Sequence, residues 1–408
     1  MTGVRHVDVL VVGAGPAGLA AAARLGAAGV GRIEVLDREQ QAGGVPRHCA
    51  HGGFGTWLHP LTGPAYARLL TRAAVSSGAV VRTGVTALDW AGPLALTTVG
   101  PGGPETIGAR AVVLATGARE RPRAARLVPG TRPAGVYTTG EVQQAVHLYG
   151  QRIGTRAVVV GAEDVSYAAA DTIRTSGADV VALVTDLPRA QAAFARAADA
   201  RLRRGIPLLT DTTVTELLGH GRLSGVRVRH RDGRTAVLRC DTVVFTGDFV
   251  PDHELARRGG LTLDPGTRGP AVDGGLHTSR PGVFAVGSVL HPVESAATAA
   301  REGAHAAGAL REWLTGAAWP GSVPLVVEEP LRWIAPHRVT PADRHGRYVL
   351  RTSAPLTRPV LHVTQDGRLL HRARLRVPTA VPHRTLSLTA RWTHRVDPKG
   401  GPVRIAVG

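Results

Sequence analysis

The hydrophobic pattern of the chain begins with a buried strand, a glycine-rich turn and a helix. Val7 to Val12 form an apolar run typical of a parallel strand, and the alanine-rich stretch after Gly18 predicts a helix. A second apolar run, Ile33 to Leu36, predicts another strand and is followed directly by Asp37. This order of elements, with an acid at the end of the second strand, is typical of a dinucleotide-binding unit.

The turn of this unit reads Gly13-Ala14-Gly15-Pro16-Ala17-Gly18, which is the G-x-G-x-x-G motif. Gly13 permits the tight turn, Gly15 lets the backbone approach a pyrophosphate, and Gly18 allows close packing of the helix on the strand. The helix N-terminus offers free N–H groups to the phosphates, and Asp37 is expected to accept a hydrogen bond from an adenosine ribose. The sequence therefore predicts a dinucleotide site, whose expected contacts also include Pro16, Ala17 and Arg38.

A second unit of the same kind follows later in the chain. Ala157 to Gly161 predicts a strand, a helix extends to about Ser176, and Asp179 to Val184 predicts the next strand. Glu163 and Ser166 stand where the motif has its second and third glycines. A carboxylate about 4 Å from a pyrophosphate repels it by roughly 4 kcal/mol in a partly shielded site. We therefore expect the fold of this unit without a working nicotinamide site, so NAD(P) is a doubtful ligand.

The rest of the pattern completes an α/β fold. It places helices at 63–76 and 295–314 and strands at 80–90 and 111–115. Beyond Pro320 short alternating strands follow without a further helix, with a hairpin signal at Asp366-Gly367. The predicted fold has two Rossmann-like dinucleotide-binding domains, the second inserted in the first, and a small C-terminal β-rich domain resembling a sandwich. The expected ranges are 1–120 and 251–320 for the first domain, 121–250 for the second and 321–408 for the C-terminal domain.

Composition narrows the functions that this fold can serve. The 408 residues carry a net charge of +18, but the basic residues are almost all arginine and no nucleic-acid-binding motif is present. We therefore expect no nucleic-acid partner. Cys49 and Cys240 are the only cysteines, too few for a disulfide framework or a four-thiolate iron–sulfur centre, and they favour a reducing cytoplasm. The apolar run from Val9 to Val30 contains Arg24 and the glycine motif, so neither an export signal nor a membrane span is predicted.

Four features together resemble the two-dinucleotide-binding-domain FAD flavoproteins of the glutathione-reductase type. They are the first motif, the segment Ala115-Thr116-Gly117, the inserted second unit and the late sequence Gly282-Val283-Phe284-Ala285-Val286-Gly287. The resemblance implies FAD in the first domain, with further contacts at Gly44 and Val85. It also implies an acid on the ribityl chain directly after Gly287, where this chain has Ser288. A serine hydroxyl still bonds a ribityl oxygen, but less strongly than an ionised acceptor does.

More narrowly, four segments look like the FAD-binding subunits of heteromeric opine oxidases, dye-linked proline dehydrogenases and hydrogen cyanide synthase. The segments are Gly44 to Cys49, Ala115 to Pro122, Gly161 to Ser166 and His291 to Glu294. The resemblance implies a partner subunit that oxidises an amine, an amino acid or a polyol phosphate, and electron transfer through FAD. Any iron–sulfur centre would lie in a separate subunit. The alternatives are a stand-alone NAD(P)H-dependent flavin reductase, with Asp186 on the nicotinamide ribose, and a non-catalytic nucleotide-binding subunit.

Candidate catalytic residues follow Gly43-Gly44. Arg47, His48 and Cys49 either line the flavin, with His48 relaying a proton near pH 7, or pack as a polar loop under the cofactor. Only Cys49 lies near, so no internal cysteine pair is expected, and His48, Cys49 and His51 lack a fourth ligand for a metal.

Three further expectations concern the later part of the chain. Glu294 is expected either to approach the flavin from the start of the following helix or, as we favour, to cap that helix and stabilise its N-terminus. His277, His291 and His305 are expected to be structural or exposed. The apolar segment Leu331 to Pro336 lies in an arginine-rich region. The C-terminal residues 321–408, which carry 15 basic and 5 acidic side chains, are expected to form a docking surface for a partner, with this apolar segment as one anchor.

Overall fold

A parallel sheet with helices on its faces forms from the first part of the chain. The computed structural model describes residues 4–56, 58–291, 294–341 and 346–408. Up to residue 120 the elements are β1 (Arg5–Val12), α1 (Pro16–Ala27), β2 (Ile33–Asp37), β3 (Phe54–Gly55), β4 (Pro60–Leu61), α2 (Gly63–Ser76), β5 (Val80–Thr83), β6 (Thr86–Gly92), β7 (Ala95–Gly100), β8 (Gly103–Leu114) and β9 (Ala118–Glu120).

The central strands of this sheet are buried on both faces. Val9, Leu10 and Val11 of β1 are fully buried, which is why this run of consecutive apolar residues forms a central parallel strand. The order is β5-β2-β1-β8, all parallel, and β7 and β6 extend the sheet in antiparallel pairing from the first half of β8. The prediction of one strand from Val80 to Trp90 is wrong, because the chain turns at Gly84 with a φ of 68° and forms two strands.

The second unit forms a parallel sheet of its own. Its elements are β10 (Val136–Thr138), α3 (Thr139–His147), β11 (Arg156–Val160), α4 (Asp164–Thr175), β12 (Asp179–Val184), α5 (Phe194–Leu202), β13 (Leu208–Leu209), β14 (Thr212–Leu218), β15 (Gly225–His230), β16 (Thr235–Leu238), β17 (Thr242–Phe245), β18 (Phe249–Pro251) and α6 (Glu254–Arg258). The parallel order is β10-β17-β11-β12-β13, and β14, β15 and β16 form an antiparallel meander. The predicted strand–helix–strand unit is therefore confirmed.

The chain returns to the first sheet after the second unit. β9 and β18 pair where the chain leaves and re-enters, and β19 (Val283–Ala285) then joins β8 in parallel. The long helix α7 (Ala296–Leu314) follows and packs against α1. A Cβ at Gly303 would overlap the carbonyl oxygen of Ala17, so the two helices cross at backbone contact. This topology confirms two Rossmann-type units with the second inserted in the first.

The remaining residues form strands around a separate core. They are β20 (Val323–Val327), β21 (Leu331–Ala335), β22 (Arg338–Val339), β23 (Arg347–Thr352), β24 (Leu356–Thr357), β25 (Val360–Gln365), β26 (Arg368–Arg374), β27 (Thr379–Ala380), β28 (Leu386–Thr389) and β29 (Val403–Val407). The sheets are β22-β20-β29-β25-β26, β21-β23-β28 and the pair β24-β27. Alternate side chains such as Leu361 and Val363 are buried, and both larger sheets contribute to one apolar cluster. Asp366 and Gly367 form the predicted hairpin turn, both with positive φ.

Two predictions for the later part of the chain are wrong. Leu331, Ile334 and Ala335, expected on a docking surface, are at most 3% exposed, because β21 faces the core of its own strands. Trp333 is also buried, and it lies against Gly266. The acid Glu294 does not cap α7, since Ser295 accepts the Thr298 N–H there. Glu294 instead accepts hydrogen bonds from Arg351 at 2.8 Å and Thr385 at 2.5 Å, which join the start of α7 to the C-terminal strands.

The apolar residues between Val9 and Val30 lie mainly in β1 and α1. No helix within the described ranges is long and apolar enough to cross a membrane.

Candidate functional site

The residues predicted to bind a dinucleotide meet at one edge of the first sheet. This edge holds the carboxyl ends of the parallel strands, where nucleotides bind in open α/β sheets. Five segments of the chain meet at this edge. They are the turn after β1, the end of β2, Val85 shortly after β5, and the turns after β8 and β19. The residues concerned are Gly13, Gly15, Pro16, Ala17, Gly18, Asp37, Arg38, Val85, Ala115, Thr116, Gly117, Gly287 and Ser288.

The three glycines of the first turn have three different surroundings. Gly13 has a φ of 111°, and a Cβ there would overlap the carbonyl oxygen of Ala115, so the turn requires glycine. A Cβ at Gly18 would overlap the carbonyl oxygen of Gly13, which allows α1 to pack on the turn. Around Gly15, by contrast, a Cβ would meet nothing within 4 Å. The backbone at Gly15 and the N-terminus of α1 thus face open space, as a pyrophosphate requires.

Asp37 holds the glycine turn in place. One carboxylate oxygen accepts the N–H of Ala14 at 2.8 Å and the other accepts the N–H of Glu39 at 2.9 Å. Burial nevertheless raises the pKa of this carboxyl above its usual value, against the lowering effect of these two bonds. A carboxylate has about four acceptor positions, so the expected ribose bond stays a prediction beside this structural role.

The segments that follow β8 and β18 are tied together across the site. The Thr116 hydroxyl donates to the carbonyl oxygen of Asp252 at 2.6 Å, and the Asp252 N–H donates to the carbonyl oxygen of Gly117 at 2.8 Å. The Asp252 carboxylate also lies 3.4 Å from Arg38 and 3.1 Å from Arg119. Sequence reasoning did not identify Asp252, because the sequence around it matches no motif and only the folded chain brings it beside Thr116.

The loop after β2 places Gly44 directly on the glycine turn. Gly44 has a φ of 62°, and a Cβ there would lie 2.8 Å from the Cα of Gly15. The 3-10 turn Val45–His48 that follows lies between α2 and α3. The loop therefore joins the first unit to the first helix of the second unit.

Arg47 lies in a groove between this loop and α2. Its guanidinium donates to the carbonyl oxygen of Gln41 at 3.0 Å. The groove has a volume of about 500 Å³ and is also lined by Arg68 and Arg72 of α2. This position favours the interpretation of Arg47 as a residue that packs the loop.

His48 and Cys49 do not have the protonation properties that a relay or a thiolate requires. Burial lowers the pKa of His48 to about 4, aided by the positive charges of Arg47 and His147, so its ring is neutral at pH 7. Burial, with Glu120 nearby, raises the pKa of Cys49 to about 12, and its thiol donates to the Gln143 side chain at 3.5 Å. This lowered pKa disfavours the proton relay by His48 near pH 7, and the role of His48 beside the flavin stays a prediction.

Comparison with known proteins agrees with the topology and with the glycine turn. The family model described as pyridine nucleotide-disulphide oxidoreductase matches residues 7–303, which include both parallel sheets and part of α7. The chain belongs to the pyridine nucleotide-disulphide oxidoreductase family. It is an FAD-dependent oxidoreductase.

Individual members of the pyridine nucleotide-disulphide oxidoreductase family cover different parts of the chain. The alpha subunit of sarcosine oxidase from Corynebacterium sp. (strain P-1) is 32% identical over 286 residues, which are 64% of this chain and 28% of that protein. An opine oxidase subunit from Agrobacterium tumefaciens (strain Ach5) is 35% identical over 200 residues, which are 46% of this chain and 38% of that protein. The crystal structure of T. acidophilum thioredoxin reductase aligns with a TM-score of 0.61 at 24% identity, over 75% of this chain and 98% of that one. The chain thus has the thioredoxin reductase fold, and it spans less than half of the two oxidase subunits.

The carboxyl edge of the first sheet fits the FAD of this family. The open backbone at Gly15 and the α1 N-terminus would hold the pyrophosphate, and Asp37 and Arg38 lie at the adenosine end of the turn. Ser288 follows β19, and a Cβ at its neighbour Gly287 would lie 2.6 Å from that of Ala17. The turn after β19 therefore packs on the first turn of α1.

The second nucleotide turn is filled by the chain itself. The Glu163 carboxylate accepts a hydrogen bond from Ser166 at 2.7 Å, and a Cβ at Gly161 would lie 2.6 Å from the same oxygen. His383, in the turn between β27 and β28, lies 3.8 Å from the other Glu163 oxygen. Burial lowers the pKa of His383, although the negative charges of Glu163 and Asp186 act in the opposite direction. A carboxylate and an imidazole thus lie where the family motif leaves room for a pyrophosphate.

A further acid, the partly buried Glu120, lies at the N-terminus of α3. Its carboxylate accepts the N–H of Gly140 at 2.9 Å, and its other oxygen is buried without a hydrogen-bond partner among the described residues. Burial raises the pKa of Glu120 to about 7, against the lowering effect of Gly140 and Thr139. Sequence reasoning placed this residue within the Ala115 to Pro122 segment but assigned it no role, since its burial depends on α3.

Glu120 makes the stability of the apoprotein depend on pH. Its pKa is higher in the folded than in the unfolded chain, so the stabilising effect of the proton is complete below about pH 4.5 and is lost as the pH rises through 7. The shift corresponds to about 3 kcal/mol. We expect the Tm of the wild type, relative to Glu120→Gln, to fall between pH 5 and pH 8. Differential scanning calorimetry of both apoproteins measures this difference, and the exposed Glu312→Gln is the control. A difference that is constant with pH would contradict the assignment.

Proposed function

We infer that this chain is the FAD-binding subunit of a multisubunit dehydrogenase that oxidises an amine, an amino acid or a polyol phosphate. The observation that carries the proposal is the contrast between the two glycine turns. The first turn is open at Gly15, whereas the second contains the Glu163 carboxylate with His383 beside it. A flavoprotein with only the first site needs a source of electrons other than NAD(P)H bound at the second.

A partner subunit is the source that the relatives favour. The sarcosine oxidase and opine oxidase relatives are both named as subunits, and the sarcosine oxidase match spans nearly two thirds of this chain. The names concern those proteins, and we extend to this chain only the class of reaction, oxidation of a substrate by a multisubunit flavoenzyme. A partner that carries the substrate site is then required for turnover.

The residues of this chain would bind and orient the cofactor. FAD, when bound, accepts two electrons from a substrate and releases them to an acceptor. The α1 N-terminus would hold the pyrophosphate and the turn after β19 would hold the ribityl chain, while Asp37 holds the glycine turn. Cys49 and Cys240 are both buried, and burial raises the pKa of Cys240 to about 11, so a metal cluster that accepts electrons would lie in another subunit.

Reconstitution with the neighbouring gene product tests this proposal. We expect the chain to co-purify with a subunit encoded beside it, and we expect the flavin of the complex to be bleached anaerobically by a secondary amine, an amino acid or a polyol phosphate. The chain alone should bind FAD and stay oxidised with the same substrates. The readout is the absorbance of the oxidised flavin.

Two results would contradict the proposal. Substrate-dependent bleaching by the isolated chain would place the substrate site in this chain itself. Failure of the chain to bind any flavin would favour the non-catalytic alternative, for which Ser288 at the expected acid position is the motivating observation.

A further inference from the structure

The turn after β19 lacks the acid that the resemblance places on the ribityl chain. Ser288 occupies that position and is partly buried. Its neutral hydroxyl forms a weaker hydrogen bond with a ribityl oxygen than a carboxylate would. The glycine turn of the first nucleotide site nevertheless has the features that the motif requires, since Gly13 and Gly18 allow close packing and the backbone at Gly15 is open.

A carboxylate from α7 lies directly behind this turn. Glu302 accepts the N–H of Gly287 at 3.1 Å through one oxygen and the Nε2–H of His291 at 2.8 Å through the other. The Glu302 carboxylate thus connects Gly287, directly before Ser288, to His291, three residues after it. Glu302 reaches this position because the next residue, Gly303, lets α7 approach the backbone of Ala17.

The Glu302 carboxylate is paired with His291. Burial works against a charged imidazole, but Glu302 at hydrogen-bond distance and Glu294 nearby outweigh it, so the pKa of His291 is above its ordinary value. The His291 ring also stacks on Trp333, with ring centroids 5.8 Å apart. Trp333 belongs to β21, so the C-terminal strands support the pair from the other side.

We propose that Glu302, held by His291, is the positioning residue that compensates for the missing acid by fixing the Gly287 N–H and aiming the Ser288 hydroxyl at the ribityl chain. The inference depends on FAD binding at the first site and does not depend on which substrate or partner the proposed function assigns.

FAD titration of the apoprotein tests the role of Glu302. Glu302→Gln keeps the size of the side chain, but its amide nitrogen cannot accept one of the two N–H groups. We expect the Kd for FAD to rise at least tenfold, with an apoprotein Tm close to that of the wild type. The matched control is Glu312→Gln, an exposed acid on the same helix, which should leave the Kd unchanged. The Kd for FAD of Glu302→Asp should lie between those of Glu302→Gln and the wild type.

A second substitution separates positioning from general stability. Ser288→Asp supplies the acid at its usual place in the family, so it should restore FAD affinity in the Glu302→Gln background and improve it much less in the wild type. A Kd for Glu302→Gln equal to that for Glu312→Gln would overturn the inference. An equal gain from Ser288→Asp in both backgrounds, or a loss of FAD affinity that only follows a fall in apoprotein Tm, would also overturn it.

Discussion

Replacing Gly15 with glutamate is expected to give a colourless protein. Gly15 has a φ of −80°, which any residue adopts, and a Cβ there would meet nothing within 4 Å, so the variant should fold. Its carboxylate would enter the space of the pyrophosphate, where two like charges about 4 Å apart repel by roughly 4 kcal/mol. That energy corresponds to a loss of about a thousandfold in FAD affinity. The ratio of flavin to protein absorbance after purification measures the loss.

Gly15→Gln is the matched control for this experiment. It adds a side chain of the same size without the charge, so it should retain more flavin than Gly15→Glu. Circular dichroism of both variants checks that the α/β fold is intact. If Gly15→Glu retains one flavin per chain, the pyrophosphate does not lie at this turn.

NADH is expected to reduce the bound flavin slowly or not at all. The Glu163 carboxylate lies over the second turn and His383 lies 3.8 Å from it, so a dinucleotide would have to displace both. The repulsion between Glu163 and a pyrophosphate is again roughly 4 kcal/mol, or about a thousandfold in affinity. Anaerobic stopped-flow absorbance at increasing NADH concentration measures the rate.

Two comparisons make the NADH experiment decisive. Dithionite should bleach the same flavin completely, which shows that the cofactor is reducible. Glu163→Gly removes the carboxylate and should bind NADH more tightly than the wild type does. Rapid and saturable reduction of the wild-type flavin by NADH would reject the proposed closure of this site and support the alternative of a stand-alone reductase.

The local signals of the sequence were sufficient for the two parallel units. Both units are continuous in sequence, with an apolar strand, a turn and an amphipathic helix in succession. The turn has the three motif glycines in the first unit, and Glu163 and Ser166 replace two of them in the second. Gly13 and Gly18 could be interpreted without coordinates because close backbone approach within one turn is a local requirement. Glu163 was identified for the same reason, since its position within the motif predicts what it blocks.

Contacts between distant segments required the folded chain. The apolar segment at 331–336 looked suited to a partner, because its pattern does not show that its own strands and Gly266 cover it. His48 looked like a group that titrates near pH 7, but its burial between α2 and α3, aided by Arg47 and His147, lowers its pKa to about 4. Residue type predicts an ordinary pKa, whereas the shift depends on neighbours far away in sequence.

The sequence alone determined the FAD-type unit, the altered second unit and the absence of an acid at Ser288, since each is a matter of residue type at a fixed spacing. Only the tertiary structure placed Glu302 against Gly287 and His383 against Glu163. These pairs are 15 and 220 residues apart in the chain, and no periodicity connects their members. Helix crossing at Gly303 and the packing of the C-terminal strands bring them together, because burial of apolar surface decides which distant segments meet.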